Sequence, residues 1–295
     1  MSLAALWRRY LGEGEPRLAS PAGLARRLAR VQLQAARHLA PAWAGAYRSA
    51  FKGEGIEFSG VREYEAGDDV RAIDWRVTAR TGRLAIRRYV EERNRTVLFL
   101  LDVGPALAAG SGERCLLDVA ADVVALVGSA ALAGGDRVTL AASSDRLELL
   151  LAPQRDPAAL LRIVQAILRL RPGERPGNLS AALVQVPRLL PRPGILVVIS
   201  PLLRPGYGPR LAVLARRHEL LVVRLWDDRA GVGTARALVP GRTPSGAVGW
   251  NAPSPAPPAD ELAGVPADVL TATPETNLGA ALARAFLDRG RRRCA

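Results

Sequence analysis

Short, continuous apolar runs alternate with longer runs at helical spacing through most of the chain after residue 95. The runs at 96–101 (TVLFLL) and 195–199 (ILVVI) are unbroken and β-rich, as strands buried on both faces are. The pattern predicts strands at 96–101, 137–142, 146–151, 195–199, 220–226 and 267–270, and helices at 114–132, 157–170, 179–190, 208–218 and 275–288. Asp156 and Asn178 are predicted to cap the helices at 157–170 and 179–190. Strands that alternate with helices predict an α/β fold with a doubly wound, mostly parallel sheet.

Two features interrupt this alternation. A short polar turn at 143–145 joins two predicted strands directly, which predicts an antiparallel hairpin at the edge of the sheet. Between 231 and 266, seven prolines with interspersed glycine and serine exclude a helix or a central strand. We therefore predict a long Pro-rich excursion, 231–266, within an α/β domain that spans 96–295.

The N-terminal segment, residues 1–50, is a predicted basic helical region with eight arginines and two acidic residues. Its apolar residues form one stripe at helical spacing, which consists of Leu24, Leu28, Val31, Ala35 and Leu39. Such a helix could lie on anionic lipid, or pack on the domain with its basic face in solvent. The stripe is rich in alanine and poor in aromatic anchors, which favours packing on the domain.

Residues 51–95 form a densely charged segment, since Lys52 to Arg95 contains ten basic and nine acidic residues. Residues 84–91 alternate apolar and polar positions and 67–69 is a turn signal, so we predict a small β-rich subdomain. We expect forked ion pairs between the arginines at 62, 71, 76 and 80 and the aspartates at 68, 69 and 74. Ile73 and Trp75 are expected to be buried against the α/β domain.

The net charge of +13 at pH 7 suggests nucleic acid or an anionic membrane surface as an alternative kind of partner. Only one of the 41 basic residues is a lysine, and alanine, glycine and proline are abundant, as GC-rich codon usage produces. Aromatic residues make up 5% of the chain, which leaves few side chains for stacking on bases. The charge is therefore weaker evidence for nucleic acid than its size suggests.

The remaining composition indicates a soluble, cytoplasmic protein. Cys115 and Cys294 lack the spacing of a metal site, and neither a secretory signal nor an apolar run of spanning length is evident. His38 and His218 lie beside basic residues and are expected at the surface. The arginines at 289 and 291–293 are expected to form a solvated basic end.

A motif in the charged segment resembles a known family. Its residues, in order, are Arg62, Tyr64, Gly67, Asp68, Arg71, Ile73, Asp74, Trp75, Ala79 and Arg80, and a strand that ends at Asp102 follows. This arrangement is similar to the domain-of-unknown-function family number 58, in which such a motif precedes a von Willebrand factor A-like domain. The resemblance implies that fold for 96–295. It also implies an adaptor or assembly-factor role with a MoxR-type AAA+ ATPase, because such proteins are commonly encoded together.

The resemblance also implies where a metal would bind, since von Willebrand factor A domains hold a divalent ion at an Asp-x-Ser-x-Ser strand end and two further loops. Here Asp102 remains, but Gly104 and Ala106 stand at the serine positions. Asn178 stands for the threonine and Pro201 for the second aspartate. Mg²⁺ needs six near-octahedral oxygen ligands, so we predict no metal and no cofactor. Asp102 is expected to cap a loop or pair with an arginine.

These patterns favour a non-enzymatic protein-interaction module over an enzyme, because no nucleophile, base and pocket can be named together. The candidate binding residues are Arg62, Tyr64, Gly67, Asp68, Asp69, Arg71, Asp74, Trp75 and Arg80. Asp102 and Asn178 are the remnants of the metal site. A third hypothesis remains, in which a degenerate site around a remnant ion recruits an acidic residue of a partner.

Overall fold

The computed structural model describes residues 41–51, 56–65, 67–91, 95–109, 114–170, 177–227, 239–242, 248–251 and 259–294. The predicted N-terminal stripe, residues 24–39, lies outside the described residues. Helix α1, Pro41–Ala50, is the described part of the N-terminal segment. Tyr47 and Ala50 of α1, together with Phe51, belong to the hydrophobic core of the α/β unit.

A six-stranded sheet forms the centre of the α/β unit. Its strands are β3 (Thr96–Asp102), β4 (Arg137–Ser143), β5 (Leu147–Gln154), β6 (Ile195–Ser200), β7 (Glu219–Leu225) and β10 (Asp268–Ala272). The spatial order is β10-β7-β6-β3-β4-β5. All neighbours are parallel except β4 and β5, which form the predicted antiparallel hairpin at one edge. The sequence prediction of a mostly parallel sheet is therefore confirmed.

Helices flank both faces of this sheet. They are α3 (Leu116–Ala133), α4 (Pro157–Arg169), α5 (Leu179–Leu189), α6 (Gly208–Ala215) and α7 (Leu278–Cys294). Side chains at Val97, Phe99 and Leu101 of β3 pack with α1, α3, α4 and α7, whereas Leu98 and Leu100 pack with α5 and α6. Because β3 carries apolar residues on both faces, it is buried on both sides, as its unbroken apolar run predicts.

Helix α3 is long and apolar enough to cross a membrane if length and composition are considered alone. Most of its residues are buried inside the fold, where it packs against the sheet and α4. Its hydrophobicity is that of a helix at the centre of a domain.

The charged segment folds into a compact unit, which we call the motif unit (residues 56–91). Strands β1 (Ile56–Glu63) and β2 (Ala85–Glu91) form an antiparallel pair, with a register shift between Phe58 and Gly60. A 3₁₀ turn (Val70–Ala72) and the short helix α2 (Trp75–Thr81) connect the two strands. The predicted β-rich character is present, and a helix interrupts it.

Part of the Pro-rich excursion forms regular structure. A two-stranded antiparallel hairpin, β8 (Val239–Arg242) with β9 (Val248–Asn251), lies within it, followed by a 3₁₀ turn at Ala259–Leu262. Pro240 pairs with Trp250, and proline is tolerated there because both strands of a two-stranded sheet are edge strands. The other residues of the excursion up to 258 lie outside the described part of the chain.

The order of the strands fixes where a ligand would bind. From β3, the chain moves to β4 on one side and later returns to β6 on the other side. The strand order therefore reverses between β3 and β6, and their carboxyl ends open a crevice at that point. Asp102 ends β3 and Ser200 ends β6, so both residues lie at this crevice.

Candidate functional site

Asp68 holds the turn that follows β1. Its Oδ2 accepts the backbone N–H of Glu65 at 2.9 Å, and its Oδ1 accepts a guanidinium N–H of Arg62 at 2.6 Å. The other terminal nitrogen of Arg62 donates to the carbonyl of Glu63 at 3.0 Å, and the hydrogen bond from Arg62 lowers the pKa of Asp68. Gly67 has a φ of 111°, which favours glycine. The predicted pair of Arg62 and Asp68 is confirmed.

Asp69 and Asp74 bind backbone amides. Asp69 Oδ1 accepts the N–H of Arg71 at 2.9 Å, and Asp74 Oδ1 accepts the N–H groups of Arg76 and Val77 at 3.1 and 3.2 Å. The sequence predicted arginine side chains as the donors to these carboxylates. Backbone amides take that place because an aspartate that precedes a helical turn reaches the unpaired N–H groups of the first turn.

Replacement of Asp74 distinguishes its role as a helix cap from a role as a charged partner of arginine side chains. Asp74→Ala should lower the free energy of unfolding by about 1 kcal/mol, because two N–H groups of α2 lose their acceptor. Asp74→Asn keeps an acceptor oxygen without the charge, and should cost only a few tenths of that amount. Urea unfolding of both variants measures the difference. Equal losses would show that the charge, and not the cap, is what Asp74 contributes.

Trp75 is exposed, so the prediction that it is buried is wrong. It is 65% exposed, whereas Ile73 is 7% exposed and pairs with Ile86 of β2. The inward face of α2 is set by two contacts with the same residue. The Asp74 N–H donates to the carbonyl of Ala85, and Thr78 Oγ1 accepts the Ala85 N–H. Trp75, which follows Asp74, is thereby turned away from the hairpin of β1 and β2.

The outward face of α2 carries a continuous set of exposed residues that we call the Trp–Arg stripe. Its members are Trp75, Arg76, Ala79 and Arg80, all of them exposed. They lie at positions i, i+1, i+4 and i+5, which share one side of a helix. Val70 and Arg71 of the preceding 3₁₀ turn are exposed as well. The structure thus places Trp75 and Arg80 together, with Arg71 on the preceding turn and the half-buried Tyr64 at the end of β1.

A second cluster lies at the strand-end crevice around Asp102, whose side chain is 5% exposed. Its Oδ2 accepts the hydroxyl of Ser200 at 2.6 Å, while its Oδ1 has no hydrogen-bond partner among the described residues. Burial raises the pKa of Asp102 to about 6, against the opposing effect of the Ser200 hydrogen bond. Gly177 lies close, because a Cβ there would be 2.3 Å from Oδ1. A larger residue at 177 would therefore force the carboxylate of Asp102 to move.

Asn178 and Ser200 have their oxygens committed to the fold. Asn178 Oδ1 accepts the N–H of Ala181 at 3.1 Å and caps α5, as the sequence predicted. Ser200 Oγ accepts the N–H of Leu202 at 2.9 Å while it donates to Asp102. Leu202 has a φ of 54°, a left-handed conformation that costs energy for a residue with a side chain.

The donor set at this crevice does not fit a hard divalent cation. Asp102 has one free oxygen, and the side-chain oxygens of Asn178 and Ser200 are already used as acceptors. Within the described ranges, no group of three or more His, Cys, Asp or Glu side chains could hold a metal ion. Magnesium and calcium need about six oxygen ligands, so this set is too small.

Two sets of long-range contacts have no signal in the local sequence. The hydrogen bond of Ser200 to Asp102 joins positions 98 residues apart. Glu261 accepts the N–H groups of Gly206, Tyr207 and Gly208 at the start of α6, at 2.8–3.0 Å. A carboxylate after a Pro-rich segment gives no local signal of this kind, because its donors are about 54 residues away.

His218 is buried, so its predicted surface position is wrong. It is 4% exposed, and neither ring nitrogen has a hydrogen-bond partner among the described residues. Burial lowers the pKa of His218, with a smaller contribution from the charge of Arg217. The ring is therefore neutral in the folded protein at neutral pH.

Comparison with known proteins gives a family and two groups of relatives. A family described as "Protein of unknown function DUF58" matches residues 60–231, which include the motif unit from Gly60 and most of the sheet. Uncharacterized proteins of Mycobacterium tuberculosis and Mycobacterium bovis are 30% identical over 193 residues, or 63% of this chain. The match spans 59% of the length of those relatives.

Two solved structures resemble the chain distantly. A conserved hypothetical protein BatB from Bacteroides thetaiotaomicron is 13% identical with a TM-score of 0.46, and covers 67% of this chain and 99% of its own. An aerotolerance-related membrane protein from Bacteroides fragilis is 14% identical with a TM-score of 0.48 and the same coverages. Similarity at this level says nothing further about this chain.

Proposed function

Because the chain belongs to the DUF58 family of proteins of unknown function, with residues 60–231 matched, we propose that it is a non-enzymatic protein-interaction module. It acts as an adaptor or assembly factor for a MoxR-type AAA+ ATPase in the cytoplasm. The observation that carries this proposal is the exposure of Trp75 on a short helix whose two ends are fixed. Tryptophan is among the residues that contribute most to protein–protein binding when they are buried by a partner.

The rigidity of α2 supports a binding role. Asp74 caps its first turn, and Gly82, with a φ of 71°, ends it in the left-handed conformation. Asp74 and Thr78 both hydrogen-bond to the backbone of Ala85, which fixes the helix to β2. A side chain on a preorganised helix loses less entropy when it binds than one on a loop.

In this proposal the α/β unit serves as a scaffold and carries out no reaction. We assign it a von Willebrand factor A-like fold whose metal site has degenerated, since Asp102 and Asn178 remain without the further oxygens. The Ser200 hydroxyl is fully buried and hydrogen-bonded in both directions, so it is not available as a nucleophile. The third hypothesis, a remnant ion that recruits an acidic partner residue, is not favoured because the crevice at Asp102 offers too few oxygen ligands for such an ion.

Co-purification from the native host tests the proposal. A tagged full-length chain should recover a MoxR-type AAA+ ATPase, and Trp75→Ala should reduce its recovery about tenfold or more, as the loss of a major contact does. Val213→Ala is the matched control, because Val213 is equally exposed at 66% but lies on α6, outside the motif unit. It should leave recovery unchanged.

Two outcomes would contradict the proposal. If the unaltered chain recovers no ATPase of this type even after crosslinking, the adaptor role fails. If Val213→Ala reduces recovery as much as Trp75→Ala, the binding does not depend on the motif unit.

Binding to nucleic acid or an anionic membrane is the alternative, and the exposed Arg71, Arg76 and Arg80 are the observation in its favour. Affinity for duplex DNA should then fall steeply with salt, because each phosphate contact releases counterions. The net charge of the motif unit argues against this alternative. Residues 60–86 contain five arginines and five acidic residues, so this part of the surface has no net charge with which to attract a phosphate backbone.

A further inference from the structure

The acidic and basic side chains of the motif unit balance in number, but they differ in what they contact. Its acidic side chains bind groups within the unit. Asp68 binds Arg62 and the N–H of Glu65, and Asp69 binds a backbone N–H. Asp74 caps α2, and Glu63 Oε1 pairs with Arg83 at 2.8 Å. Four of the five carboxylates between residues 60 and 86 are therefore engaged locally.

Unlike these carboxylates, the two arginines of the Trp–Arg stripe face solvent. Arg76 and Arg80 are exposed, and neither forms an ion pair within the described part of the chain. They are four residues apart, so their side chains leave the same face of α2, about 6 Å from each other along the axis. The small side chain of Ala79 lies between them on this face. The stripe thus presents two guanidinium groups and an indole to solvent.

The chemistry of these groups defines what would bind them. A guanidinium group recognises a carboxylate through two parallel hydrogen bonds, and an indole supplies a large apolar surface at low entropic cost. Exposed Val70 extends the apolar surface on the turn before the helix. A ligand that contacts both guanidinium groups and the apolar surface has two carboxylates about 6 Å apart and an apolar side chain beside them. Acidic residues two apart in an extended peptide, or four apart in a helix, have that spacing.

We propose that the Trp–Arg stripe binds a short acidic segment of the partner protein, with two carboxylates on Arg76 and Arg80 and an apolar side chain on Trp75. This inference rests on the proposed function, because it gives the chemistry of the segment that the adaptor recognises. A short protein segment fits better than nucleic acid, since residues 60–86 have no net charge with which to attract a long phosphate backbone, whereas two discrete carboxylates need only Arg76 and Arg80.

Selection from a random library of displayed peptides about 12 residues long, with the full-length chain as the target, tests the inference. The selected peptides should be enriched in Asp and Glu at the two spacings above, together with a Leu, Ile, Phe or Trp. Their affinity should fall about tenfold or more with Trp75→Ala and with the double substitution Arg76→Gln and Arg80→Gln. It should also weaken as the salt concentration rises toward about 0.15 M.

Arg83→Gln is the matched control, because Arg83 is an exposed arginine of the same unit that is already paired with Glu63. It should leave the affinity within about twofold. Thermal unfolding should be unchanged in all these variants, since the substituted side chains are exposed. Selected peptides without acidic enrichment, or undiminished binding by the double variant, would overturn the inference. So would a library that yields no peptide above the background of Trp75→Ala.

The result separates this inference from the adaptor proposal. If the ATPase co-purifies through Trp75 but the double arginine substitution has no effect, the adaptor role stands and the acidic segment is wrong. If duplex DNA displaces the selected peptides and its binding requires Arg76 and Arg80, the stripe is a nucleic-acid site and both proposals fail.

Discussion

Arg289→Met should lower the free energy of unfolding by about 3 kcal/mol, the lower end of the loss expected when one partner of a buried ion pair is removed, because this pair is largely but not fully buried. The side chain of Arg289 is 12% exposed and pairs with Glu219 of β7 and Asp268 of β10. It also donates to the carbonyl of Ala50 at 3.0 Å, and its guanidinium lies 4.8 Å from the ring centroid of Phe51. One side chain therefore joins α1, α7 and two strands.

Arg292→Met is the control for this prediction. Arg292 pairs with the same Asp268, but its side chain is 64% exposed, so the substitution should cost less than about 1 kcal/mol. Denaturant unfolding of both variants gives the comparison. Equal losses would mean that burial does not strengthen the contacts of Arg289. The sequence predicted a solvated basic end for residues 289–293, and for Arg289 that prediction is wrong.

Asp102→Asn should raise the free energy of unfolding at about pH 8 by about 2 kcal/mol, because the substitution removes a buried charge that destabilises the fold. The pKa of Asp102 rises from 3.8 to about 6 on folding. Each unit of such a rise corresponds to about 1.4 kcal/mol, which sets an upper limit of about 3 kcal/mol. The unpaired amide nitrogen of the new asparagine reduces the gain.

The pH dependence follows from the direction of this shift. The folded state binds the proton of Asp102 more tightly than the unfolded state does. Stability from this residue is therefore greatest below about pH 4 and is lost as the pH rises through about 6. The gain from Asp102→Asn should be present at about pH 8 and disappear at about pH 4.

Asp156→Asn provides the control, because Asp156 caps α4 at an exposed position and asparagine caps a helix equally well. It should change the free energy of unfolding little at either pH. Measurement of all three proteins by urea unfolding across this pH range decides the matter. A gain of the same size at both pH values would exclude the charge of Asp102 as its cause.

These substitutions act on the fold, whereas the stripe substitutions act on recognition. Asp102 is buried and Arg289 is largely buried in the α/β unit, whereas Trp75, Arg76 and Arg80 are exposed on α2. A loss of partner recovery without a change in unfolding therefore assigns the defect to the motif unit. The two groups of variants can be compared in one series of measurements.

The sequence by itself determined the order and type of the main elements. Continuous apolar runs marked the central strands β3 and β6, because a strand buried on both faces has no polar face to show. Asp156 and Asn178 marked the starts of α4 and α5, because a cap bonds to amides two or three residues away. The Arg62–Asp68 pair was also predictable, since the two residues share one turn. All of these signals are local.

The tertiary structure alone decided which side chains face solvent and which distant groups meet. Trp75 is exposed because Asp74 and Thr78 attach α2 to the backbone of Ala85, and no pattern in a seven-residue helix specifies that rotation. Ser200 reaches Asp102, and Arg289 reaches Glu219, across long separations in sequence. Such contacts depend on how strands and helices pack, and a local pattern records only the neighbours along the chain.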